Sequence, residues 1–377
     1  MNYIGNDRPR IAFVVNGDAQ SPMGHRATEF QSRLVDRFEI LKCYRQGKRG
    51  LAAWGFLQEL RRFKPALCCV FDHAIDGVVA AHLYQKLTKT KWLLDTGDDI
   101  VALGKALGRG RMSMIATGWL DKLGYASAAH VVVRGRGHID ALAHRTQNVT
   151  WIPDGVQIEQ FGCKNPDAAF EPSKSNALTI GVLGSSVWSE TKQTCYGHEL
   201  VEVLHLLRSG APFPFPVRGE IIGDGSGIDW LRKRATELGI LDSITFHGRQ
   251  PYERLPDMLR RWHICLSTQT DDAIGRVRTT GKMPLYLAAG RFILASRVGE
   301  AARVLPENML VSYDGDRDLE YPEKLARRIQ SLVEQGTQFG FRQESVEIAR
   351  QFFDYDALAE AYRDVIESLL EHRPNVP

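Results

Sequence analysis

Three basic residues lie close together in the segment DDAIGRVRTTGKMPLYL (271–287), just before an apolar stretch that predicts a short helix. They are Arg276, Arg278 and Lys282. Positive side chains beside the free N–H groups of a helix start suit a diphosphate. The alternative is an ordinary basic loop in solvent. Because AAG and the strand-like RFILAS follow, the loop should lie at a sheet edge, and we predict that these cations bind a diphosphate.

Aspartates follow a predicted strand in LLDTGDDIVAL (93–103). A carboxylate at the carboxyl end of a strand can accept or orient a hydroxyl proton, and Asp98 and Asp99 are candidate catalytic residues for this reason. The alternative is that one aspartate caps the following helix, and both roles are compatible. Metal binding by GDD is the weaker interpretation because no other ligand cluster is evident, so we predict no metal site.

Glycine-rich loops follow two further predicted strands. In VVNGDAQSPMGHRATEF (14–30), Gly17 and Gly24 could bring the backbone close to a diphosphate, and His25 is the candidate catalytic histidine. IIGDGSGIDWLRKR (221–234) contains Gly223 and Gly225, but its spacing is not that of a dinucleotide fingerprint. A tight strand-to-helix turn near a bound nucleotide is the interpretation we prefer there.

Composition excludes several classes of protein. The chain has 377 residues, a hydrophobic fraction of 44% and a net charge of +3, which are ordinary values for a globular protein and do not indicate nucleic-acid binding. No run of 18 apolar residues predicts a membrane span, and the start of the sequence shows no signal-peptide pattern. The six cysteines form no Cys-x-x-Cys pair, which favours buried thiols and a cytoplasmic protein.

Strand-like and helix-like patterns alternate along the chain. Six apolar runs between residues 11 and 152 and six more between 178 and 313 are mostly continuous, as in strands covered on both faces. This alternation predicts an α/β fold with two Rossmann-like, doubly wound parallel sheets. We expect a first domain at 1–165, a proline-containing linker at 166–176, a second domain at 177–350 and a final amphipathic helix within 351–377.

Three segments in this order resemble the retaining glycosyltransferase family four, a group with the GT-B fold. NVTWIPDGVQIEQF (148–161) resembles the interdomain segment of that family. GEIIGDGSG…HICLSTQ (219–269) resembles its donor-domain stretch, and KMPLYLAAGRFILASRVGEAARVL (282–305) resembles the helix–strand unit that follows. The resemblance covers most of the chain and is strongest between about 145 and 305.

The resemblance implies two domains facing a cleft, with the nucleotide-sugar donor on the second domain, the acceptor on the first, and the last helix returning to the first. The family typically needs no metal and no cofactor, because the nucleotide-sugar is a substrate. Protein cations would therefore offset the diphosphate charge as the bond to the sugar breaks.

Not all of the functional residues of this family are present in the chain. The two family glutamates would fall at Val277 and Leu285, and both are missing, which puts sugar recognition in doubt. Ser185 and Ser186 stand in place of the usual arginine, whereas Lys192 matches the family lysine. Arg276, Arg278 and Lys282 could replace the lost cation, and we expect Lys192 and Lys282, with support from Arg278, to bind the diphosphate. The remaining assignments are Gly248 and Arg249 in HGRQ for the nucleotide, and Gly299 and Glu300 for the sugar.

We therefore expect a glycosyltransferase that moves a sugar from a nucleotide-diphosphate-sugar to a hydroxyl acceptor, in glycan or glycolipid assembly. A degenerate domain that binds a nucleotide or a partner without turnover is the second interpretation, and a nucleotide-sugar epimerase is the third. Basic clusters around Trp54 and Trp119, in 45–64 and 104–124, leave two alternatives open. They form either a peripheral contact with the cytoplasmic membrane face, which implies a lipid-linked acceptor, or ordinary helices whose aromatic residues face the core.

Overall fold

The computed structural model of the protein describes residues 8–47, 50–162, 177–210 and 213–371. The chain divides into two compact units. Unit 1 comprises Met1–Lys105, Arg109–Gly155 and Tyr355–Pro377, and unit 2 comprises Ala106–Gly108 and Val156–Asp354. The predicted linker at 166–176, together with Cys163, lies outside the described residues, and the predicted domain boundaries remain a prediction.

The twelve predicted strands are all present. Within the described residues they are, in chain order, β1 (Arg10–Val15), β2 (Glu39–Tyr44), β3 (Leu67–Phe71), β4 (Lys91–Thr96), β5 (His130–Val133), β6 (Val149–Trp151), β7 (Leu178–Leu183), β8 (Val217–Ile222), β9 (Ile244–Gly248), β10 (Ile264–Ser267), β11 (Phe292–Ser296) and β12 (Leu310–Val311).

Helices alternate with these strands. In the same ranges they are α1 (Pro22–Leu34), α2 (Ala53–Phe63), α3 (Ile75–Thr88), α4 (Ile100–Ala106), α5 (Arg111–Ser127), α6 (Arg136–Leu142), α7 (Ile158–Phe161), α8 (His198–Ser209), α9 (Ile228–Glu237), α10 (Leu255–Leu259), α11 (Ala273–Val277), α12 (Lys282–Ala288), α13 (Ala301–Val304), α14 (Tyr321–Glu334), α15 (Gln343–Phe353) and α16 (Tyr355–Glu371). None of these helices is both long and apolar enough to cross a membrane.

The sheet of unit 1 is parallel throughout, with the strand order β2-β1-β3-β4-β5-β6. Successive residues of a strand face opposite sides. Ala12 and Val14 therefore pack in one core with α2, α3 and α5, while Phe13 packs in a second core with α1 and α16. Because both faces are covered by helices, these strands read as continuous apolar runs.

The sheet of unit 2 is also parallel, with the order β12-β11-β10-β7-β8-β9. The chain builds outward from β7 to β9 on one side and then returns to add β10, β11 and β12 on the other. The order therefore reverses between β7 and β10. In unit 1 it reverses between β1 and β3. Ligands of open parallel sheets bind at such reversals, outside the carboxyl ends of the strands.

The fold class is the predicted one, an α/β fold with two doubly wound parallel sheets. The final helix, α16, belongs to unit 1, where the ring of Tyr362 stacks on Phe30 of α1 with the centroids 4.4 Å apart. The five cysteines within the described ranges are all buried, and burial raises the pKa of the Cys195 thiol to about 12.

Candidate functional site

Lys192 lies beside the strand-order reversal of unit 2. Its ammonium is 2.6 Å from a carboxylate oxygen of Asp272 and donates to the Thr270 hydroxyl at 3.0 Å. Both residues follow β10, whereas Lys192 belongs to the loop that follows β7. The side chains of Lys192 and Asp272 are 18% and 19% exposed, so the pair is reachable by a ligand without being fully solvated.

Asp272 has a second role as the N-cap of α11. Its other carboxylate oxygen accepts the N–H groups of Ile274 and Gly275, each at 2.9 Å. Burial alone would raise the pKa of Asp272, but hydrogen bonds, led by the one from Lys192, hold it below its usual value. The carboxylate is therefore ionised at neutral pH and fixes the position of the Lys192 ammonium.

Lys282 begins α12, close to the loop that follows β7. Its ammonium lies over the ring of Tyr196, 3.5 Å from the ring centroid. Burial lowers the pKa of Lys282 to about 7. The negative charge of Glu199 partly opposes this shift, and the positive charge of Arg278 adds to it. The Lys282 amine is therefore only partly protonated at neutral pH, and a bound anion would favour its charged form.

Two tyrosines join the strands on either side of this reversal. The Tyr196 hydroxyl donates to the backbone carbonyl of Leu266 on β10 at 2.9 Å. The Leu183 N–H, at the end of β7, donates to the Tyr286 hydroxyl at 2.7 Å. Burial raises the pKa of both phenols well above the usual value, so both remain neutral. Their hydrogen bonds fix the carboxyl ends of β7 and β10, next to the two lysines.

The glycines of the loop after β8 allow close backbone packing. Gly223 has φ 137°, and a Cβ there would lie 1.9 Å from the Gly184 carbonyl oxygen. A Cβ on Gly225 would lie 2.5 Å from the carbonyl oxygen of Ser186. The Gly223 N–H donates to the Gly248 carbonyl at 2.9 Å. These contacts account for the glycines in structural terms, and their predicted nucleotide contact stays a prediction.

The remaining predicted donor residues occupy different surroundings. Gly299, with φ 56°, packs closely on the Gly275 carbonyl, because a Cβ there would lie 2.5 Å from it. Glu300 is buried, and Arg249 is exposed. Arg276 points outward and pairs with Asp271 at 2.6 Å, with its own side chain 63% exposed.

The positions of the missing glutamates are apolar and enclosed. Val277 ends α11 and Leu285 lies within α12, and both are buried. Their side chains cannot hydrogen-bond a hydroxyl group. Lys192 belongs to the loop after β7, and the Lys282 ammonium lies close to Gly184 in the same loop. The Gln269 side chain, after β10, donates to the Arg278 carbonyl at 3.1 Å, whereas Arg276 and Arg249 lie at the surface. The sugar-binding and nucleotide-binding assignments stay predictions.

Unit 1 has a buried charged cluster that sequence analysis missed. Asp95, at the end of β4, is fully buried and pairs with Arg26 at 2.9 Å and with Arg134 at 3.2 Å. Asp154 lies 3.5 Å from Arg26 and 3.7 Å from Arg134. Burial would lower the pKa of Arg134, but Asp154 and Asp95 raise it above its usual value. The cluster links β4, α1 and the segments after β5 and β6.

Asp98 and Asp99 follow β4 as predicted. Asp99 caps α4, because its carboxylate accepts the N–H groups of Val101 and Ala102 at 2.9 and 2.8 Å. Asp98 is half-buried, and its negative charge contributes to the raised pKa of Arg134. The described residues contain no group of three or more His, Cys, Asp or Glu side chains that could hold a metal ion. The catalytic roles of the two aspartates stay predictions.

The loop after β1 forms a capped turn before α1. The Ser21 hydroxyl accepts the Gly24 N–H at 3.2 Å, and a Cβ on Gly24 would lie 2.1 Å from the Asp18 carbonyl. A Cβ on Gly17 would likewise meet the Ser21 hydroxyl at 2.3 Å. His25 lies 3.7 Å from the Glu29 carboxylate on the same helix. The predicted anion contact of this loop stays a prediction.

His73, at the reversal of unit 1, was also missed. It follows β3, is buried, and its Nε2 donates to the Leu120 carbonyl at 3.2 Å. Burial lowers its pKa to about 4, so the ring is neutral. The only sequence signal was its place directly after a predicted strand.

The chain matches no protein-family model and no curated protein. Solved structures do match. HepE from Anabaena, in complex with UDP and glucose, has a TM-score of 0.73 at 14% identity over 96% of this chain and 100% of that one. Sucrose-phosphate synthase from Thermosynechococcus elongatus gives 0.71 at 14% identity, over 97% and 100% of the two chains.

The lipopolysaccharide outer core galactosyltransferase WaaB is more distant, with a TM-score of 0.62 at 12% identity over 95% of this chain and 99% of that chain. At such identities the similarity concerns the fold. It extends over nearly the whole of each chain, and both sheets of this protein fall within it. The fold of the chain is therefore the predicted GT-B fold, shared with these glycosyltransferase structures.

Proposed function

We propose that the protein is a glycosyltransferase that moves a sugar from a nucleotide-diphosphate-sugar to a hydroxyl acceptor. The observation that carries the proposal is the position of Lys192 and Lys282 at the strand-order reversal of unit 2, where parallel sheets bind ligands. The similarity to glycosyltransferase structures supports it, and the HepE complex with UDP and glucose makes uridine diphosphate sugars the first donors to test.

In the proposed reaction the two lysines stabilise the leaving diphosphate. Negative charge grows on the diphosphate as its bond to the sugar breaks, and fixed cations then interact more strongly with it than with the intact donor. Lys282 gains charge as the anion binds, because its pKa starts near 7 and rises beside a phosphate. The chemistry needs neither a metal nor a cofactor.

Donor binding competes with Asp272 for Lys192. The ammonium has two partners in Asp272 and Thr270, and a phosphate oxygen would replace or share one of them. Because Asp272 keeps its two backbone hydrogen bonds at the start of α11, it can release Lys192 without losing its capping role. Asp272 also fixes the position of the Lys192 ammonium before the donor arrives.

The acceptor belongs to unit 1 in this proposal, with Asp98 orienting its hydroxyl group. Front-face attack with retention of configuration, in which the donor's own diphosphate assists, fits the resemblance to retaining enzymes. In that mechanism the protein supplies no covalent nucleophile. Asp98 is the better candidate of the pair, because the Asp99 carboxylate is already used as the cap of α4.

A surface of unit 1 suits an anionic membrane and a lipid-linked acceptor. We call it the α2–α3–α5 surface, the outer side of residues 51–63, 75–88 and 111–127, because α3 packs against both α2 and α5. Its exposed large apolar residues are Leu51, Trp54, Leu83, Leu87, Met112, Ile115 and Trp119. Trp54 and Trp119 are 61% and 55% exposed, so the interpretation in which both face the core is wrong, although Phe56 is buried.

The exposed charges on this surface have one sign. Its exposed cations include Arg61, Arg62, Lys86, Arg111 and Lys122. Across residues 51–128, all of which the structure describes, no aspartate or glutamate is exposed. Apolar side chains surrounded by cations can enter the interface of an anionic leaflet, with about 1 kcal/mol gained for each cation near it.

A binding domain without turnover is the second candidate. The observation that favours it is the pair of buried apolar residues, Val277 and Leu285, at the positions of the family glutamates. A nucleotide could still bind through the lysines while no group holds the sugar in a reactive position.

A panel of nucleotide sugars separates the two candidates. Thermal stabilisation by UDP-, ADP-, GDP- and dTDP-sugars would identify the donor, since a ligand that binds the folded state raises the melting temperature. Release of the nucleotide diphosphate, with and without added acceptors, would then report turnover. Binding without release supports the second candidate. The absence of binding by every donor and by the free nucleotide diphosphates contradicts both the transferase and a domain that binds a nucleotide without turnover.

A further inference from the structure

A cavity of unit 1 opens at the amino ends of β1, β3 and β4. This is the end of the sheet opposite the carboxyl edge that carries Asp98 and Asp99. Its volume is about 860 Å³. Six cationic residues line it, namely Arg8, Arg10, Arg61, Lys64, Lys89 and Lys91, and none of its described lining residues is acidic.

At least three of these cations lack a carboxylate partner within the described ranges. Arg10 pairs with Glu39 at 3.0 Å, and the Lys91 ammonium donates to the Leu369 carbonyl at 3.2 Å. Arg61, Lys64 and Lys89 are exposed and form no ion pair with any carboxylate in the described ranges. No carboxylate within the described ranges offsets their mutual repulsion, and a multivalent anion would relieve it.

Lys64 and Lys89 occupy equivalent backbone positions. Each follows the last turn of a helix, α2 or α3, in the left-handed conformation, with φ 52° and φ 63°. Glycine is the usual residue there because a Cβ strains that conformation. A lysine at this place also interacts favourably with the negative end of the helix, which is one reason for a basic residue there. That effect does not explain why Arg8 and Arg61 line the same cavity.

Hydroxyl groups complete the lining. The Thr88 hydroxyl donates to the Tyr84 carbonyl at 2.8 Å, and a contact of 2.9 Å joins it to the Thr90 hydroxyl. The Thr88 hydroxyl proton is thus already donated, and the N–H groups of the lining guanidinium and ammonium side chains are the donors for the several oxygens of a phosphate. The cavity is also larger than a single inorganic phosphate requires.

We propose that this cavity binds an anion that carries two or more phosphate groups. Its source is either a soluble polyphosphorylated molecule or the headgroup of an anionic phospholipid. The site is separate from the donor site, because every residue that lines it belongs to unit 1 whereas Lys192 and Lys282 belong to unit 2. The inference therefore does not depend on the proposed transferase activity.

The test uses the full chain, inorganic tripolyphosphate and titration calorimetry. Lys64→Gly combined with Lys89→Gly removes two charges, and glycine fits the left-handed backbone at both positions, so the fold should be retained. We expect this variant to bind tripolyphosphate at least about tenfold more weakly, since each lost charged hydrogen bond matters at that scale. Lys105→Ala with Lys122→Ala, two exposed lysines of unit 1 outside the cavity, should bind like the unaltered protein.

The variant Lys282→Ala distinguishes the two units. Tripolyphosphate binding that is lost in Lys282→Ala and kept in the double glycine variant belongs to unit 2 and overturns the proposal. Equal affinity for monophosphate and tripolyphosphate, or equal affinity of all variants, also overturns it.

Vesicles identify the source of the phosphates. If the ligand is a headgroup, phosphatidylcholine vesicles containing cardiolipin should retain the protein and should retain the double glycine variant less. Lys233→Ala with Arg327→Ala, which removes two exposed cations of unit 2, is the control and should be retained like the unaltered protein. Tripolyphosphate binding without that difference in retention assigns a soluble ligand. If neither tripolyphosphate nor vesicles respond to the glycine substitutions, the cavity is not a phosphate site.

Discussion

Lys282 has two properties that favour anion binding: it is enclosed, and it has no carboxylate at salt-bridge distance within the described ranges. Its ammonium is enclosed against the Tyr196 ring. Its interaction with a phosphate would therefore be weakly screened by water. Lys192, in contrast, already has Asp272 as a partner, so part of its charge is neutralised before a ligand arrives.

Replacing Lys282 with alanine should lower kcat/KM by about 100-fold, equivalent to about 2.7 kcal/mol of transition-state stabilisation. The loss follows from removing one enclosed charge beside the leaving group. Steady-state kinetics with the donor identified in the panel provides the measurement. Lys233→Ala, at an exposed position of α9, is the matched control and should have normal kinetics. Normal kinetics in a correctly folded Lys282→Ala protein would remove Lys282 from the site.

Donor binding should weaken as the pH rises above about 7, because the free Lys282 then loses its proton. The sign follows from burial, which disfavours the charged form, while the donor binds that charged form. A nucleotide sugar is the suitable ligand, since its phosphates do not titrate near neutral pH. Calorimetry from acid to alkaline pH measures the trend. Lys282→Arg should bind without this pH dependence, and an unchanged profile in Lys282→Ala would assign the effect elsewhere.

Asp98→Asn and Asp99→Asn should behave differently. Asparagine caps a helix about as well as aspartate, so Asp99→Asn should change the free energy of unfolding by less than about 0.5 kcal/mol. Asp98→Asn should lose turnover while donor affinity is unchanged, because in the proposed reaction its carboxylate orients the acceptor hydroxyl. Chemical denaturation and kinetics with acceptor give the two readouts. Full activity in both variants would place the acceptor elsewhere.

At the scale of elements, the sheet of unit 2 depends on a glycine within a strand. A Cβ on Gly181 of β7 would lie 2.1 Å from the ring of Trp262, which is fully buried. The indole cannot move away without disturbing the core, and its N–H is held by Glu220 at 2.8 Å. The glycine thus creates the space in which a large aromatic ring packs against the strand.

Gly181→Ala should destabilise unit 2 by about 1–3 kcal/mol, the usual cost of overpacking a core. Gly55→Ala, the control, lies within α2 with open space around it and should stabilise the helix by about 0.5–1 kcal/mol. Urea unfolding followed by intrinsic fluorescence measures both changes. A Gly181→Ala protein as stable as the unaltered one would mean that Trp262 can move.

At the scale of the whole molecule, charge and apolar exposure are unevenly distributed although the net charge is only +3. The α2–α3–α5 surface combines exposed tryptophans with cations, whereas acidic residues are concentrated elsewhere in the chain. A uniform distribution would make the protein indifferent to membrane charge.

Sedimentation with vesicles should show binding to anionic lipid that weakens as salt is added. Arg111→Glu with Lys122→Glu, on α5 and outside the cationic cavity, should lower the bound fraction strongly because two attractive charges become repulsive. Lys233→Glu with Arg327→Glu, on helices of unit 2, makes the same change in net charge and should have little effect. Equal binding to neutral and anionic vesicles would exclude this role of the surface.

Local patterns in the sequence were sufficient to predict the strands. Runs such as IAFVV and ALCCVF lie at β1 and β3 because a strand covered on both faces needs apolar side chains at every position. The position of Lys282 at the start of α12 could also be predicted, since a basic residue before a helix and a strand indicates a sheet edge, whereas its contact with a diphosphate stays a prediction. These features depend on residues that are close in the chain, and a sequence records such neighbours directly.

The strand order and the charge partners were decided only by the tertiary structure. Arg26 and Asp95 are 69 residues apart, and Lys192 and Asp272 are 80 residues apart. No spacing rule relates residues at such distances, because they meet only when parallel strands place their carboxyl ends at one edge of a sheet. The lowered pKa of Lys282 and the cationic cavity have the same origin, since burial and the sum of nearby charges are properties of packed atoms rather than of residue types.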